Sequence, residues 1–257
     1  MGKNHVVAMI PARMESSRFP GKPLAKILDL PMVEHVRRRV LLSDAIHEVY
    51  VATCNQEIMD AVEQFGGKAI MTANTHERCT DRVEEAMQKV DGDVVVIVQG
   101  DEPLFNPAIL NLLLEPILKE PELQCTNLIS VIDKAEDLHA TDIVKAVLNQ
   151  KNYVMYFSRA PIPYMRSRNS CPMYRQTGLS AFTKPFLRLY SKLSPTPMEV
   201  AESVDFLRIL EHGYSILGVI YQSDTVGVDR PDDSEKVEEI LRRDPSQREL
   251  YQRILKP

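Results

Sequence analysis

Between Asp93 and Pro103 the chain reads DVVVIVQGDEP, and its five consecutive β-branched residues leave no polar face. A strand of that kind must be covered on both sides, as in the middle of a parallel sheet with helices on either face. The preceding segments follow the same plan. Val6 to Ile10 and Val49 to Thr53 are apolar runs of strand length, and Met32, Val33, Val36 and Val40 recur between them at helical spacing, which makes a βαβ unit. A second unit follows, with Ile58, Met59, Val62 and Phe65 on one helix face and Gly66-Gly67 as its C-terminal cap before a strand at Lys68 to Met71. A helix from about Thr80 to Val90 leads into the buried strand, and Asn106-Pro107 starts another helix carrying Leu110, Leu113, Leu114 and Ile117.

Past residue 125 the pattern changes. Asn127 to Ile132, Ile143 to Leu148, Tyr153 to Ser158 and Gly178 to Thr183 read as strands, with NQKN as a short turn, and imply antiparallel additions to a mixed sheet. Residues 161 to 176 are proline-rich and basic without periodicity, so they read as a long loop of the sort that carries function. Glu199 to His212 reads as a helix, Tyr214 to Tyr221 as a strand, and Ser234 to Arg243 as a charged closing helix. The expected fold is α/β, with a mixed, mainly parallel sheet flanked by helices. With 257 residues, 44% of them hydrophobic, and no repeat or linker, it is expected to form one domain across 1–257.

A net charge of −5 argues against a broad nucleic-acid-binding face, which needs clustered excess cation. Cys54, Cys79, Cys125 and Cys171 are dispersed and show neither zinc spacing nor a disulfide framework, which suits a reducing cytoplasmic compartment. No stretch approaches the length needed to span a membrane, so no membrane insertion is expected.

Three constellations carry chemistry. The first strand delivers Pro11-Ala12-Arg13 into a loop where Arg13, Arg18 and Lys22 gather among two prolines and a glycine. At the C-terminal end of a strand, such a loop suits a polyanion, because guanidinium groups grip phosphate oxygens in pairs and lysine adds a point charge. The blander alternative is a solvated basic loop. The phosphate-binding fingerprints GxxxxGK[ST] and GxGxxG are absent, which disfavours a nicotinamide-dependent dehydrogenase. In QGDEP, Asp101 and Glu102 follow the most buried strand, where a carboxylate can hold Mg²⁺ against phosphates or simply open a helix. In VGVDRPDD, residues 226 to 233, Asp229 can supply a second metal ligand, while Asp232 and Asp233 look like the first turn of a helix. Elsewhere, His35 reads as a surface histidine, Arg37-Arg38-Arg39 as a solvated face, His212 as a helix C-terminal residue, and Cys79 as a packed, inert thiol.

The segments IPAR-x₄-R-x-PGKPL, TDR at 80 to 82, QGDEP, YFSR-x-PIP at 156 to 163 and GVD-x-P-x-D occur in the order seen in the 3-deoxy-manno-octulosonate (Kdo) cytidylyltransferases. The chain resembles that family over about residues 6 to 242. The resemblance implies a nucleotide-diphospho-sugar transferase, Rossmann-like fold with a small antiparallel dimerisation subdomain, and a homodimer. It also implies transfer of CMP from CTP to a sugar acid with Mg²⁺ as cofactor and release of pyrophosphate, in lipopolysaccharide biosynthesis. By the same resemblance Arg13 and Lys22 hold the CTP phosphates and, with Asp101, carry catalysis, while Pro11, Ala12, Arg82 and Gln99 lie near the cytidine. Asp101 and Asp229 match the metal ligands. Arg159 faces the sugar acid, with a strut for the following loop as its structural alternative.

The acceptor half departs from the pattern. Where the family has RH-x-G-x-Y, this chain has Arg175-Gln176-Thr177-Gly178-Leu179-Ser180, and an EQLR-like segment becomes Asp205-Phe206-Leu207-Arg208. The Ser-Gly pair expected before TDR is replaced by Arg78-Cys79. Gln176, Ser180 and Asp205 therefore join Arg159 as acceptor candidates within a subregion of about 160–212, where the dimer interface is also expected. A polar side chain is lost at Phe206. The acid is then Kdo or a relative, such as an amino-substituted ulosonate or a small phosphonate, and a nucleotide-binding regulator without turnover is the competing class.

Overall fold

The structure is a computed structural model that describes residues 4–16, 18–167, 171–222 and 227–256. Ser17 of the opening loop, residues 168–170 of the proline-rich loop and Val226 lie outside the described residues. The chain forms two compact units, Met1–Asn111 with Thr225–Pro257, and Leu112–Asp224.

In the first unit, β1 (Val6–Ala12) leads through the opening loop and a short 3₁₀ turn (Lys22–Leu24) to a small hairpin, β2 (Lys26–Ile27) and β3 (Leu30–Pro31). Helix α1 (Met32–Val40), β4 (Glu48–Thr53), α2 (Gln56–Gln64), β5 (Lys68–Met71), α3 (Cys79–Met87) and β6 (Val94–Val98) follow. The order β6-β1-β4-β5 is parallel throughout, with Met9 beside both Ile97 and Tyr50. The VVVIV strand is buried along its whole length, as its composition requires, and each valine so covered contributes about 1.5 kcal/mol or more. The glycine pair caps α2 as expected. Gly66 adopts φ +72°, and the Gly66 and Gly67 amides donate to the carbonyls of Glu63 and Val62.

Helix α4 (Ile109–Lys119) carries the chain out of this unit, and α9 (Pro231–Arg243) and α10 (Pro245–Leu255) complete it. The charged closing helix thus begins three residues early, at a proline, with Asp232 and Asp233 in its first turn. A further helix follows it, because Asp244 caps α10 by accepting from the Gln247 amide. Val237, Leu241, Tyr251 and Ile254 of the two helices form one apolar cluster with Ile27, Leu30 and Met32.

That packing overturns two expectations about α1. His35 is fully buried against Tyr251, its ring stacked at 5.5 Å, and its Nε2–H donates to the Ile27 carbonyl at 2.7 Å. Arg37-Arg38-Arg39 is not a solvated face. Arg37 and Arg38 both bind the buried Glu34 carboxylate, and Arg38 also reaches the Ile254 carbonyl at 2.9 Å. Arg39 is wholly buried and donates to the Phe105 carbonyl. The apolar period of α1 was correctly legible, but α10 and α2 cover what looked like its polar side.

The second unit contains β7 (Cys125–Val131), α5 (Ala135–His139), β8 (Lys145–Leu148), β9 (Val154–Ser158), β10 (Tyr174–Thr183), α6 (Lys184–Tyr190), α7 (Pro197–Glu202), α8 (Phe206–Glu211) and β11 (Leu217–Tyr221). β11 runs parallel to β7, whereas β10 is antiparallel to β7 and β8, and β8 and β9 form an antiparallel hairpin. The expected antiparallel additions are therefore present. β10 starts at Tyr174, inside the stretch expected as loop. The helix expected over Glu199–His212 is two short helices, because Ser203 takes φ +52° and its neighbours turn the chain between them.

Candidate active site

The four parallel strands of the first unit present their following residues at one edge: Arg13 after β1, Asn55 after β4, Thr72 after β5 and Gln99 to Asp101 after β6. Ligands of open α/β sheets bind outside this edge. A cavity of about 330 Å³ opens there, with Pro11, Ala12 and Arg13 on one wall and Gln99, Gly100 and Asp101 on another. Lys22 and Arg82 reach the same space.

The opening loop is held in shape by a backbone bond and by a bond to a side chain after β4. The Gly21 amide donates to the Met14 carbonyl at 3.0 Å, with Gly21 at φ +74°, a value that favours glycine, and the Met14 amide donates to Asn55 Oδ1 at 3.0 Å. The loop therefore turns back and starts the 3₁₀ turn at Lys22. Lys22 Nζ donates to Asp101 Oδ2 at 2.7 Å and to the Val228 carbonyl at 2.9 Å, and lies 3.9 Å from Asp229 Oδ1. Arg18 pairs with the same Asp229 oxygen at 3.0 Å. The Val228 amide in turn donates to the Asp101 carbonyl, so the GVD segment docks directly on the QGDEP turn. Asp233 accepts from the amides of Asp229 and Arg230, which fixes that turn. Arg13 is exposed and makes no hydrogen bond or ion pair among the described residues.

Two carboxylates, Asp101 and Asp229, thus flank one ammonium group. No group of three His, Cys, Asp or Glu side chains that could hold a metal occurs among the described residues. Such a pair suits a hard cation that takes its remaining oxygens from phosphates and water, as Mg²⁺ commonly does.

Arg82 is nearly buried and is anchored by donating to Thr72 Oγ1 at 2.6 Å and to the Ala73 carbonyl. Among the lining residues not singled out from the sequence as site residues are His76, which pairs with Glu85, and Glu77; Arg78, read from the sequence only as a departure before TDR, lines the cavity beside them. Their only sequence signal is a polar run directly before a helix on this sheet edge. Cys79 is a lining residue too, and not a packed thiol.

The acceptor candidates belong to the second unit. Arg159, just past β9, donates from Nε to the Glu202 carbonyl, from Nη1 to that of Thr141 and from Nη2 to that of Ser203. Its backbone is held as well: the amide donates to Glu202 Oε2, and the carbonyl accepts from Lys145 Nζ at 2.8 Å. Lys145 is fully buried, spends its ammonium on three carbonyls, and has its pKa lowered by burial. Three of the five N–H groups of Arg159 are therefore committed, and two remain to meet an anion. Gln176 and Ser180 flank a register shift in β10, which the buried Asn127 side chain bridges by donating to the carbonyls of Thr177 and Leu179. Ser180 is buried in the ladder, and Asp205 precedes α8. Phe206 is 5% exposed, between the rings of Phe157 and Phe182. Its replacement of a polar residue is explained by that aromatic packing.

The chain matches the family model for cytidylyltransferases over residues 7–216. It is 38% identical over 249 residues to the 3-deoxy-manno-octulosonate cytidylyltransferase of Geobacter metallireducens, covering 93% of this chain and 98% of the relative. It is 42% identical over 240 residues to the same enzyme of Syntrophus aciditrophicus, covering 92% and 97%. Among solved structures, that of a CMP:2-keto-3-deoxy-manno-octonic acid synthetase complexed with CTP superposes with a TM-score of 0.89 at 39% identity, covering 93% of this chain and 98% of the other.

Proposed function

Because the chain belongs to the 3-deoxy-manno-octulosonate cytidylyltransferase family, we propose that the cavity at the sheet edge of the first unit holds CTP and that a sugar acid is the acceptor. The activity is cytidylyl transfer: an acceptor hydroxyl attacks the α-phosphorus of CTP, the bond to the β-phosphate breaks, and pyrophosphate leaves. The observation that supports the residue assignments is the meeting of separate motifs, IPAR, PGK, TDR and QGDEP, around one cavity.

Arg13, without a partner among the described residues, is assigned to the triphosphate, and Lys22 is assigned to join it there in exchange for the Asp101 carboxylate. Arg82 and Gln99 offer polar groups to the base. Members of the family generally use a divalent metal, and we assign Mg²⁺ to Asp101 and Asp229. When bound, that ion supplies charge neutralisation at the phosphates, the main requirement of this reaction class. Pro11, Ala12 and Gly100 shape the wall against which the nucleotide is aligned.

Kdo is the proposed acceptor, with Arg159, Gln176, Ser180 and Asp205 as its contacts. A related acid is the second reading, favoured by the Gln176 and Ser180 departures on the β10 bulge. No described helix is long and apolar enough to cross a membrane. The four free cysteines support a cytoplasmic setting, and the exposed Met155 and Val200 of the second unit support a homodimer. The test is pyrophosphate release from CTP and Mg²⁺ with Kdo and a panel of sugar acids and phosphonates. Turnover with Kdo is expected. Turnover only with another acid would move the acceptor and keep the mechanism, and release with none would make the chain a nucleotide-binding regulator.

A further inference from the structure

A glutamine that reads a base edge has an ambiguity built in, because its amide presents a donor or an acceptor depending on which way it is turned. Gln99 stands on the cavity wall and its Nε2 donates to Cys79 Sγ at 3.2 Å. Its Oε1 has no partner among the described residues. Cys79 is the first residue of the nine-residue α3, lies directly after Arg78, and lines the same cavity. The positive end of that helix, with Arg78 and Arg82 nearby, favours the electron-rich sulfur as an acceptor over the weak S–H as a donor.

We propose that Cys79 is a positioning residue for nucleotide selection: by accepting from Gln99 Nε2 it turns the Gln99 carbonyl oxygen into the cavity, toward an exocyclic amino group. Cytosine carries that amino group, and uracil presents a carbonyl at the same ring position. With the amide held this way, uracil would set two acceptors against each other, and a polar group left unpaired on a site wall is a strong basis for rejection. The opposite turn would aim the amide NH₂ at the base and leave Oε1 on a sulfur that donates poorly. Where the family pattern has Ser-Gly before TDR, this chain has Arg78-Cys79, so the sulfur contact is a feature of its own sequence. The inference rests on the cavity being the CTP site.

The test measures dissociation constants for CTP and UTP by calorimetry on the full chain and on Cys79→Ala, Cys79→Ser and Gln99→Ala. The CTP preference should fall about tenfold in Cys79→Ala, the scale of one hydrogen bond. In Cys79→Ser, whose hydroxyl can still accept, it should stay within about threefold of the parent. An unchanged preference in Cys79→Ala alongside its loss in Gln99→Ala overturns the role of Cys79 and leaves the pocket assignment standing. Equal losses in the alanine and serine variants overturn the acceptor role of the sulfur. Unchanged preference in all three removes Gln99 from the base as well, and failure of the parent chain to bind CTP overturns the pocket assignment itself.

Discussion

The first unit contains two groups of three cations that look alike in sequence and meet opposite fates. Arg13, Arg18 and Lys22 sit on a loop at the sheet edge, where they line a cavity; Arg18 pairs there with Asp229 and Lys22 with Asp101, and Lys22 also donates to the Val228 carbonyl. Arg37, Arg38 and Arg39 sit on a helix covered by its neighbours and bind Glu34 and the backbone carbonyls of Phe65, Ile254 and Phe105. An ion pair at a cavity can exchange one partner for a ligand. A guanidinium spent on buried carbonyls has no such freedom. The same distinction separates Lys22 from Arg159, whose carbonyl contacts make it a strut with two donors to spare.

If the helix cations serve the fold and the loop cations serve the ligand, substitutions should divide cleanly between stability and binding. The largest effect is expected for Glu34→Ala, which strands two cations: a loss of about 3 to 5 kcal/mol in urea unfolding. A value near zero would return the cluster to the solvated class.

His35 comes next. Burial lowers its pKa from 6.5 to about 4, so the unfolded chain takes up a proton before the folded one does. The stability it allows is complete above pH 6.5 and is lost as pH falls toward 4, by up to about 3 kcal/mol. His35→Gln, whose amide can still donate to the Ile27 carbonyl, should flatten the pH dependence of unfolding over that window.

On the loop, Lys22→Met should weaken CTP binding by about 2 kcal/mol, roughly thirtyfold in titration calorimetry, and change unfolding by less than about 1 kcal/mol. A large loss of stability instead would make Lys22 a structural brace between Asp101 and Val228. The smallest effect is expected for Arg39→Met. Nε and Nη2 of this buried guanidinium have no hydrogen-bond partner among the described residues, so an apolar replacement of similar length should change stability by less than about 1 kcal/mol in either direction.

How far the sequence could be read follows from how local each signal was. The VVVIV strand, the Gly66-Gly67 cap and the QGDEP turn carried their structural reason within a few residues, and each was legible. His35 and Arg39 depended on α10 and Phe105, more than 200 and more than 60 positions away in the chain respectively, and no local pattern announced that cover. The break at Ser203 was missed because a continuous helical period runs through a residue whose backbone turns left-handed.

By itself the sequence determined the parallel sheet of the first unit, the edge where its loops collect, and the residue types that meet a polyanion there, because β-branching, glycine and proline act through the local backbone. Tertiary structure alone decided which cations stay available, which acids face each other, and how the Gln99 amide is turned. Those outcomes depend on burial and on partners brought together by packing, and a charge has no fixed role until its neighbours are in place.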